Sequence, residues 1–388
     1  GTMWECPDFF CLEGAYVLIT SPQNLSADEE FHNGNNSVYY MGSYDKNQHM
    51  FHYDAVYSLD DGLDFYAPQT MLADDGRRIM IAWMQSWDSN IRPEGQKWSG
   101  MMILPRELKV KDGKILQSPV REIENYHRNG VRYEKQEVEG TCIFDGIKGR
   151  VLDMTVEIAG GDFREFTISF AQNEQFHTDF SILQHKNRIE IDRTYSGMGR
   201  DANAIRRVKV KSPCKKWKLR IILDKYSMEV FLNDGQQVFS TTFYTSLEAD
   251  QISFVCDGKA IVNLEKYDIV VEKSMQGETD MKKFDVTALG ELLVDFTENG
   301  MSAQGNPLLE ANPGGAPCNV LSMLQNLGKK TAFIGKVGAD MFGTMLTQAV
   351  KDQGINIDNL VTDDTVQTTL AFVQTGFDGD RDCSFSHK

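Results

Sequence analysis

One switch in the spacing of apolar residues limits what this chain can fold into more than any other feature. Up to about residue 272 the apolar residues come in short runs rich in β-branched and aromatic side chains, the pattern of strands. Beyond residue 282 such runs alternate with stretches of helical spacing, the pattern of an α/β domain with a largely parallel sheet. A chain of 388 residues is longer than one core usually needs. The switch therefore predicts all-β domains first and an α/β domain last.

The all-β part has two styles. Between residue 11 and about 125, the runs Ala15–Thr20, Ser37–Gly42, His49–Tyr57, Arg78–Trp83 and Met101–Leu104 are short. Turn signals separate them at Asn33-Gly34, Asp61-Gly62, Asp75-Gly76 and Asp112-Gly113. On pattern alone, propeller blades and a sandwich fit these residues equally. From about residue 126 the alternation is longer, in Val151–Ile158, Phe166–Phe170, Arg188–Asp192, Lys218–Leu223 and Gln251–Cys256. That suits the two half-buried sheets of a β-sandwich, with Asn233-Asp234-Gly235 as a hairpin turn. The expected domains are residues 1–125, 126–272 and 282–388, with a polar linker at 273–281.

The chemistry starts at Trp4-Glu5-Cys6-Pro7-Asp8-Phe9-Phe10. Glu5 lies between an indole and a thiol, with a stiff Pro two positions on. Such surroundings disfavour the anion and raise a carboxyl pKa, and a carboxyl protonated near neutral pH can act as a general acid. The same residues also suit a plainer arrangement, with Trp4, Phe9 and Phe10 in the core and Glu5 an ordinary strand-end carboxylate.

The word Trp4-Glu5-Cys6-Pro7-Asp8 resembles the Trp-Glu-Cys-Pro-Asp motif of glycoside hydrolase family 32, the β-fructofuranosidases. Asp64-Phe65-Tyr66-Ala67 resembles the Asp-Phe-Tyr-Ala motif of that family. Trp83–Trp87 resembles the strand and loop that follow, and Lys97–Gly100 with Leu104–Leu108 resembles its closing segment. The resemblance implies part of a five-bladed β-propeller followed by a β-sandwich, with Glu5 as the acid/base. It implies that Tyr66 and Trp83 line the pocket and pack their rings on the sugar. Asp64 either hydrogen-bonds sugar hydroxyls or caps a turn. Trp98 is expected at a blade junction, and Arg92 and Lys97 either meet a substrate phosphate or are solvated. Leu223–Gly235 and Asp192-Arg193 resemble strands of the family's sandwich, to which no chemistry is assigned. Its acids, Glu229 among them, are expected at the surface or between domains.

A retaining glycosidase needs a second carboxyl group about 5–5.5 Å from the first. The family carries that nucleophile in an Asn-Asp-Pro-Asn-Gly word and a further stabilising Asp in an Arg-Asp-Pro word. Neither word occurs in this sequence. The expectation is that the first blades have been cut away and that the chain as written hydrolyses nothing.

In the α/β part, Gly314-Gly315-Ala316-Pro317-Cys318-Asn319 with Gly328 and Gly338 resembles the first motif of the PfkB, ribokinase-like sugar kinases. Phe333–Gly343 is similar to the same family, and Gly290 through Asp295 resembles the start of a fructokinase. Leu321 departs from the motif, where Ser, Thr or Ala is usual. The resemblance implies sugar binding by Asp295, Gly314, Gly315 and Asn319. A complete kinase of this kind uses ATP and magnesium, whereas the glycosidase needs no cofactor. The family's Gly-x-Gly-Asp word, which carries the catalytic base, does not follow Asn319, so this domain is expected to be incomplete as well.

The net charge of −16 argues against a nucleic-acid or anionic-membrane partner. No apolar run approaches membrane-spanning length. The first ten residues hold two acids and no base, unlike a signal peptide. Seven scattered cysteines without a Cys-x-x-Cys pair read as reduced thiols of a cytoplasmic protein and provide no metal site. The leading expectation is a fragment of a β-fructosidase fused to a fructokinase, acting on a fructoside and on the released fructose. A non-catalytic sugar-binding or sugar-sensing protein is the alternative. A joining of two genes, with Met281 as a natural kinase start, is a third.

Overall fold

The computed structural model describes residues 3–28, 30–32, 34–85, 100–197, 204–211, 216–271, 283–375 and 381–386. Trp87, Arg92, Lys97, Trp98, the Asn33 half of one turn signal, Met281 and the expected linker lie outside the described residues. The chain divides into two compact units, residues 1–273 and 274–388.

The first unit opens with two four-stranded antiparallel sheets, each in simple chain order. One holds β1 (Trp4–Leu12), β2 (Ala15–Pro22), β3 (Val38–Asp45) and β4 (Met50–Ser58). The other holds β5 (Tyr66–Leu72), β6 (Arg78–Trp83), β7 (Arg106–Lys111) and β8 (Lys114–Pro119). Up-and-down sheets of this kind are propeller blades. Their facing sides share one core, in which Phe10, Val17, Ile19, Met80, Ala82 and Leu108 are buried. The period-2 rule puts the neighbouring Phe9 on the other face, where it stacks on Tyr16 and meets Tyr44 and Phe51 edge-on. Met101–Leu104 is not a strand. It adds one bridge, Met102 to Trp83, and Pro105, which has no N–H, ends it before β7 begins.

The sandwich contains β9 (His127–Cys142), β10 (Leu152–Gln172), β11 (Thr178–Leu183), β12 (Arg188–Asp192), β13 (Ile205–Lys209), β14 (Trp217–Asp224), β15 (Ser227–Leu232), β16 (Gln237–Thr242) and β17 (Gln251–Ile269). The runs Val151–Ile158 and Phe166–Phe170, read in the sequence as two strands, belong to one. β10 continues through Gly160 and Gly161, pairs with β14 along its first half and β11 along its second, and follows β17 throughout. Bulges at Ile158/Gly160 and Phe163/Glu165 bend it between the two layers. Its alternating Met154, Val156, Ile158, Phe166 and Ile168 fill the core. The four-residue β15–β16 loop, between the paired Leu232 and Gln237, has Asn233, Asp234 and Gly235 at left-handed φ of 49°, 58° and 82°.

The second unit contains β18 (Val286–Leu289), β19 (Leu293–Met301), β20 (Pro307–Gly314), α1 (Ala316–Asn326), β21 (Thr331–Gly338), α2 (Met341–Asp352), β22 (Asn356–Asp363), β23 (Leu370–Thr375) and β24 (Arg381–Ser386). β18, β21 and β22 form a parallel sheet, whereas the sheet β20-β19-β23-β24 is mixed. The expected parallel character thus holds for the first sheet and for the β19–β23 pair. Leu321, the departure from the kinase motif, is fully buried on α1 against the core of this unit. Within α1 the apolar spacing overstates the buried face, since Val320 and Leu327 are exposed.

Candidate active site

Glu5 lies on β1 immediately before a bulge. Cys6 takes a left-handed φ of 49°, and the pairing with β2 slips between Glu5 and Asp8. Tyr66 occupies the matching place on β5, where Ala67 has φ 52° and the pairing with β6 slips between Tyr66 and Gln69. Bulges beside functional groups re-aim side chains, and these two are tied to each other. The Cys6 carbonyl accepts from Gln69 Nε2 at 3.1 Å, and Asp8 Oδ2 accepts from Thr70 N at 2.7 Å and Thr70 Oγ1 at 2.6 Å.

The result is a polar setting for Glu5. Its Oε2 accepts from Gln23 Nε2 at 2.8 Å and from the Tyr66 hydroxyl at 2.8 Å. The Tyr66 hydroxyl also lies 3.1 Å from the Ser21 carbonyl oxygen. Oε1 has no hydrogen bond among the described residues. Burial pushes the Tyr66 phenol far above its ordinary range, and the hydrogen bond and negative charge of Glu5 push the same way, so Tyr66 remains a donor. Burial, followed by the Glu5 charge, also raises the Cys6 thiol. The apolar enclosure expected around Glu5 is therefore corrected. Trp4 is 50% exposed and leans on Tyr40, and two hydrogen-bond donors meet one carboxylate oxygen instead.

Two further expectations change. Tyr66 is 1% exposed, with its ring buried rather than presented at a pocket wall and its hydroxyl on Glu5. Asp64 is fully buried, and its Oδ2 accepts from Arg193 Nη1 at 2.5 Å, Thr242 N at 2.7 Å and Thr242 Oγ1 at 3.0 Å. A carboxylate sealed against the sandwich in this way cannot meet substrate. Trp83, half-buried, pairs across the sheet with Tyr66. Gln23 and Ser21 were not singled out from the sequence. Counting back from the Glu13-Gly14 turn would have set Glu5 opposite Pro22, because the bulge between Glu5 and Asp8 that shifts its partner to Ser21 has no signal in the sequence.

Around the site, Asp60 and Glu229 flank Arg106, whose Nη1 lies 2.9 Å from Asp60 Oδ2 and whose Nη2 lies 2.7 Å from Glu229 Oε2. Burial works against the Arg106 cation, but Glu229 and Asp60 outweigh it and keep it charged. Glu229 is thus an interdomain group, one of the two positions expected for it.

In the second unit Asp295 and Gly314 lie on the paired strands β19 and β20. A Cβ at Gly314 would come within 2.2 Å of Asp295 Oδ2, so only glycine leaves room for that carboxylate. Gly315 precedes α1 at φ 121°, and Asn319 is exposed in the first turn of α1, its N–H bonded to the Gly315 carbonyl. Among the described residues, no group of three or more His, Cys, Asp or Glu side chains could hold a metal ion. Among them, too, no helix is long and apolar enough to cross a membrane.

Each region of the chain resembles known proteins. Residues 1–119 match the glycosyl hydrolases family 32 N-terminal domain, residues 122–270 the family 32 C-terminal domain, and residues 283–388 the pfkB family of carbohydrate kinases. A raffinose invertase of Escherichia coli is 34% identical over 265 residues, which cover 67% of this chain and 54% of that protein. A sucrose-6-phosphate hydrolase of Staphylococcus xylosus is 29% identical over 273 residues, 69% of this chain and 55% of the relative. The sucrose-6-phosphate hydrolase structure from Lactobacillus gasseri shares the fold at a TM-score of 0.61 and 24% identity, over 70% of this chain and 55% of that one. The chain spans about half the length of the relatives it matches.

Proposed function

Because residues 1–119 and 122–270 belong to glycosyl hydrolase family 32 and residues 283–388 to the pfkB carbohydrate kinases, we propose that the chain carries the acid–base side of a retaining β-fructosidase and the sugar-binding side of a fructokinase. The observation that carries this reading is the Glu5 carboxylate, with Oε2 held by Tyr66 and Gln23 and Oε1 without a hydrogen bond among the described residues. Protonated on Oε1, Glu5 keeps both donors on its carbonyl-like Oε2, and ionised, it keeps the same two. Neither proton transfer then requires the site to rearrange. Glu5 gives its proton to the glycosidic oxygen as that bond breaks, and recovers one from the water that completes hydrolysis.

The second carboxylate of this mechanism sits in a family word that does not occur in these 388 residues. Hydrolysis is therefore proposed only together with a segment that bears it. Fructosides are the proposed substrates, with sucrose, its 6-phosphate and a fructan to be compared. In the kinase unit, Asp295 accepts from fructose hydroxyls beside the Gly314 backbone. Kinases of the pfkB family use ATP and magnesium. The described residues include no metal-holding cluster, so no step is assigned through either. The described cysteines are free, which supports a reducing, cytoplasmic setting.

The test is hydrolysis of the three fructosides by the full-length protein bearing the nucleophile, against its Glu5→Gln variant. Turnover by the wild type and none by the variant is the expected result. Wild-type binding without turnover of any of the three replaces the enzyme by a sugar-binding protein. For the kinase unit, Asp295→Asn is expected to weaken fructose binding in calorimetry, and unchanged affinity removes Asp295 from the sugar site.

A further inference from the structure

The segment between the two blades is a backbone extension of the sandwich. Asp61 N donates to the Val238 carbonyl at 2.8 Å, and Leu63 N and Asp64 N donate to the Ser240 carbonyl at 2.8 and 3.1 Å. Residues 61–64 thus run along β16, which ends the row of paired strands β10, β14, β15 and β16. Gly62 permits this approach, since a Cβ there would lie 2.1 Å from the Ser240 oxygen. The Asp61-Gly62 turn signal in the sequence is therefore also a docking point. Its side chains add to the hold: Asp61 to Gln237 Nε2 at 2.8 Å, and Asp64 to Arg193 and Thr242.

Tyr66 begins two residues beyond Asp64, and two extended residues reach at most about 7 Å. On the other side Ala67 N is tied to Ser21 Oγ at 3.2 Å. Tyr66 is therefore pinned between a sandwich contact and a blade contact, with its hydroxyl on Glu5. We infer that the β-sandwich positions the acid of the propeller, with Arg193 acting through Asp64 and the Tyr66 hydroxyl on Glu5. The sandwich is then part of the acid's support, beyond packing against the blades. Arg193 is a positioning residue, 129 positions from Asp64 in the chain. The inference rests on the assignment of Glu5 above, but its geometry can be read separately.

The experiment follows the Tyr66 hydroxyl proton by NMR in this chain, assigned by its loss in Tyr66→Phe. Arg193→Ala and Asp64→Asn are expected to speed its exchange with water by about tenfold or more, and Arg193→Lys to restore most of the protection. Thr242→Val, a milder loss on the same carboxylate, serves if the first two do not fold, with a smaller change in the same direction. Arg220→Ala removes a sandwich ion pair with Asp153 and Glu124 and is expected to leave the proton unchanged. Wild-type exchange in folded Arg193→Ala, Asp64→Asn or Thr242→Val overturns the clamp, as does equal acceleration in Arg220→Ala. In the full-length enzyme Arg193→Ala should lower kcat with little change in KM. If Glu5→Gln leaves hydrolysis intact while the proton still responds to Arg193→Ala, the clamp stands and the role of Glu5 falls.

Discussion

Carboxylates of the first unit are held in two opposite ways. Glu5 takes neutral donors, a phenol and an amide, on one oxygen. Asp60, Asp64 and Glu229 are buried at the blade–sandwich junction and face guanidinium groups, Arg106 for the first and third and Arg193 for Asp64. A carboxylate locked against a permanent cation in a sealed interface has no reason to exchange a proton, because losing its charge would leave that cation unpaired. A carboxylate held by neutral donors with an oxygen open keeps its partners in either state. Donor type, more than an unpartnered oxygen, separates the proposed acid from the structural ones, since Asp64 Oδ1 is also without a hydrogen bond.

The largest effect should come from the chemical member of the pair. Glu5→Gln preserves shape and hydrogen bonding but cannot carry a proton, so kcat in a protein that also bears the second carboxylate should fall by about a thousandfold, within the usual range for a lost general acid. Thermal unfolding should hardly move. A large drop in stability with modest loss of rate would place Glu5 among the structural acids and collapse the distinction. Next comes Arg106→Ala, which strands Asp60 and Glu229 without their cation and leaves space beside the Phe65 and Phe231 rings. Removing one partner of such a buried group costs about 3–5 kcal/mol, measurable as a lower denaturant midpoint. A change below about 1 kcal/mol would show that water or repacking compensates the junction.

Much of this architecture could be read from the chain. The switch near residue 272 follows from periodicity, which reports burial directly, and β6 falls on the run Arg78–Trp83. What escaped depended on long-range pairing. Nothing near Arg106 or Glu229 in sequence says that they meet across 123 positions. The bond from the Tyr66 hydroxyl was hidden because an aromatic beside a sugar-site motif suggests a stacking ring, whereas the ring is buried and the hydroxyl reaches Glu5. Asp64 was left between two roles for a related reason. Its motif neighbours point to the site, while its partner Arg193 comes from the other domain. Val151–Ile158 and Phe166–Phe170 read as two strands, but one bulged strand runs through Gly160 and Gly161 without ending.

A middle case sharpens the contrast. Glu107 Oε1 accepts from Arg77 Nη1 at 2.8 Å, Arg121 N at 3.0 Å and Arg121 Nε at 3.2 Å. Burial alone would raise this carboxyl, but the bonds from Arg121 and Arg77 outweigh it and hold the group below its ordinary value. A depressed folded-state value means that the unfolded chain binds the proton more readily. Its stabilisation is thus present above the unfolded pKa and is lost as pH falls through the lower folded value. Glu107→Gln should lower stability at neutral pH and flatten the loss of stability on acidification between those two values. An acid limb identical to the wild type would show that Arg77 and Arg121 do not act on Glu107 in solution.

The smallest effect tests the rule where it is weakest. Asp340, at the start of α2, is held by neutral donors as Glu5 is, yet its place at a helix start is structural. Its Oδ1 accepts from Gly343 N and Thr368 Oγ1, each at 2.8 Å, and its Oδ2 accepts from Thr368 N at 2.8 Å. Neutral donors alone therefore do not mark a chemical acid, and what sets Glu5 apart is neutral donors on one oxygen together with no hydrogen bond on the other among the described residues. Both Asp340 oxygens are occupied, whereas Glu5 keeps Oε1 open among the described residues. Asp340→Ala should cost about 1 kcal/mol, the usual loss of a helix N-cap, seen as faster amide exchange in α2 and the Thr368 region. Fructose affinity should remain unchanged. If affinity falls instead while α2 stays protected, Asp340 belongs to the sugar site, and that combination ceases to be the criterion.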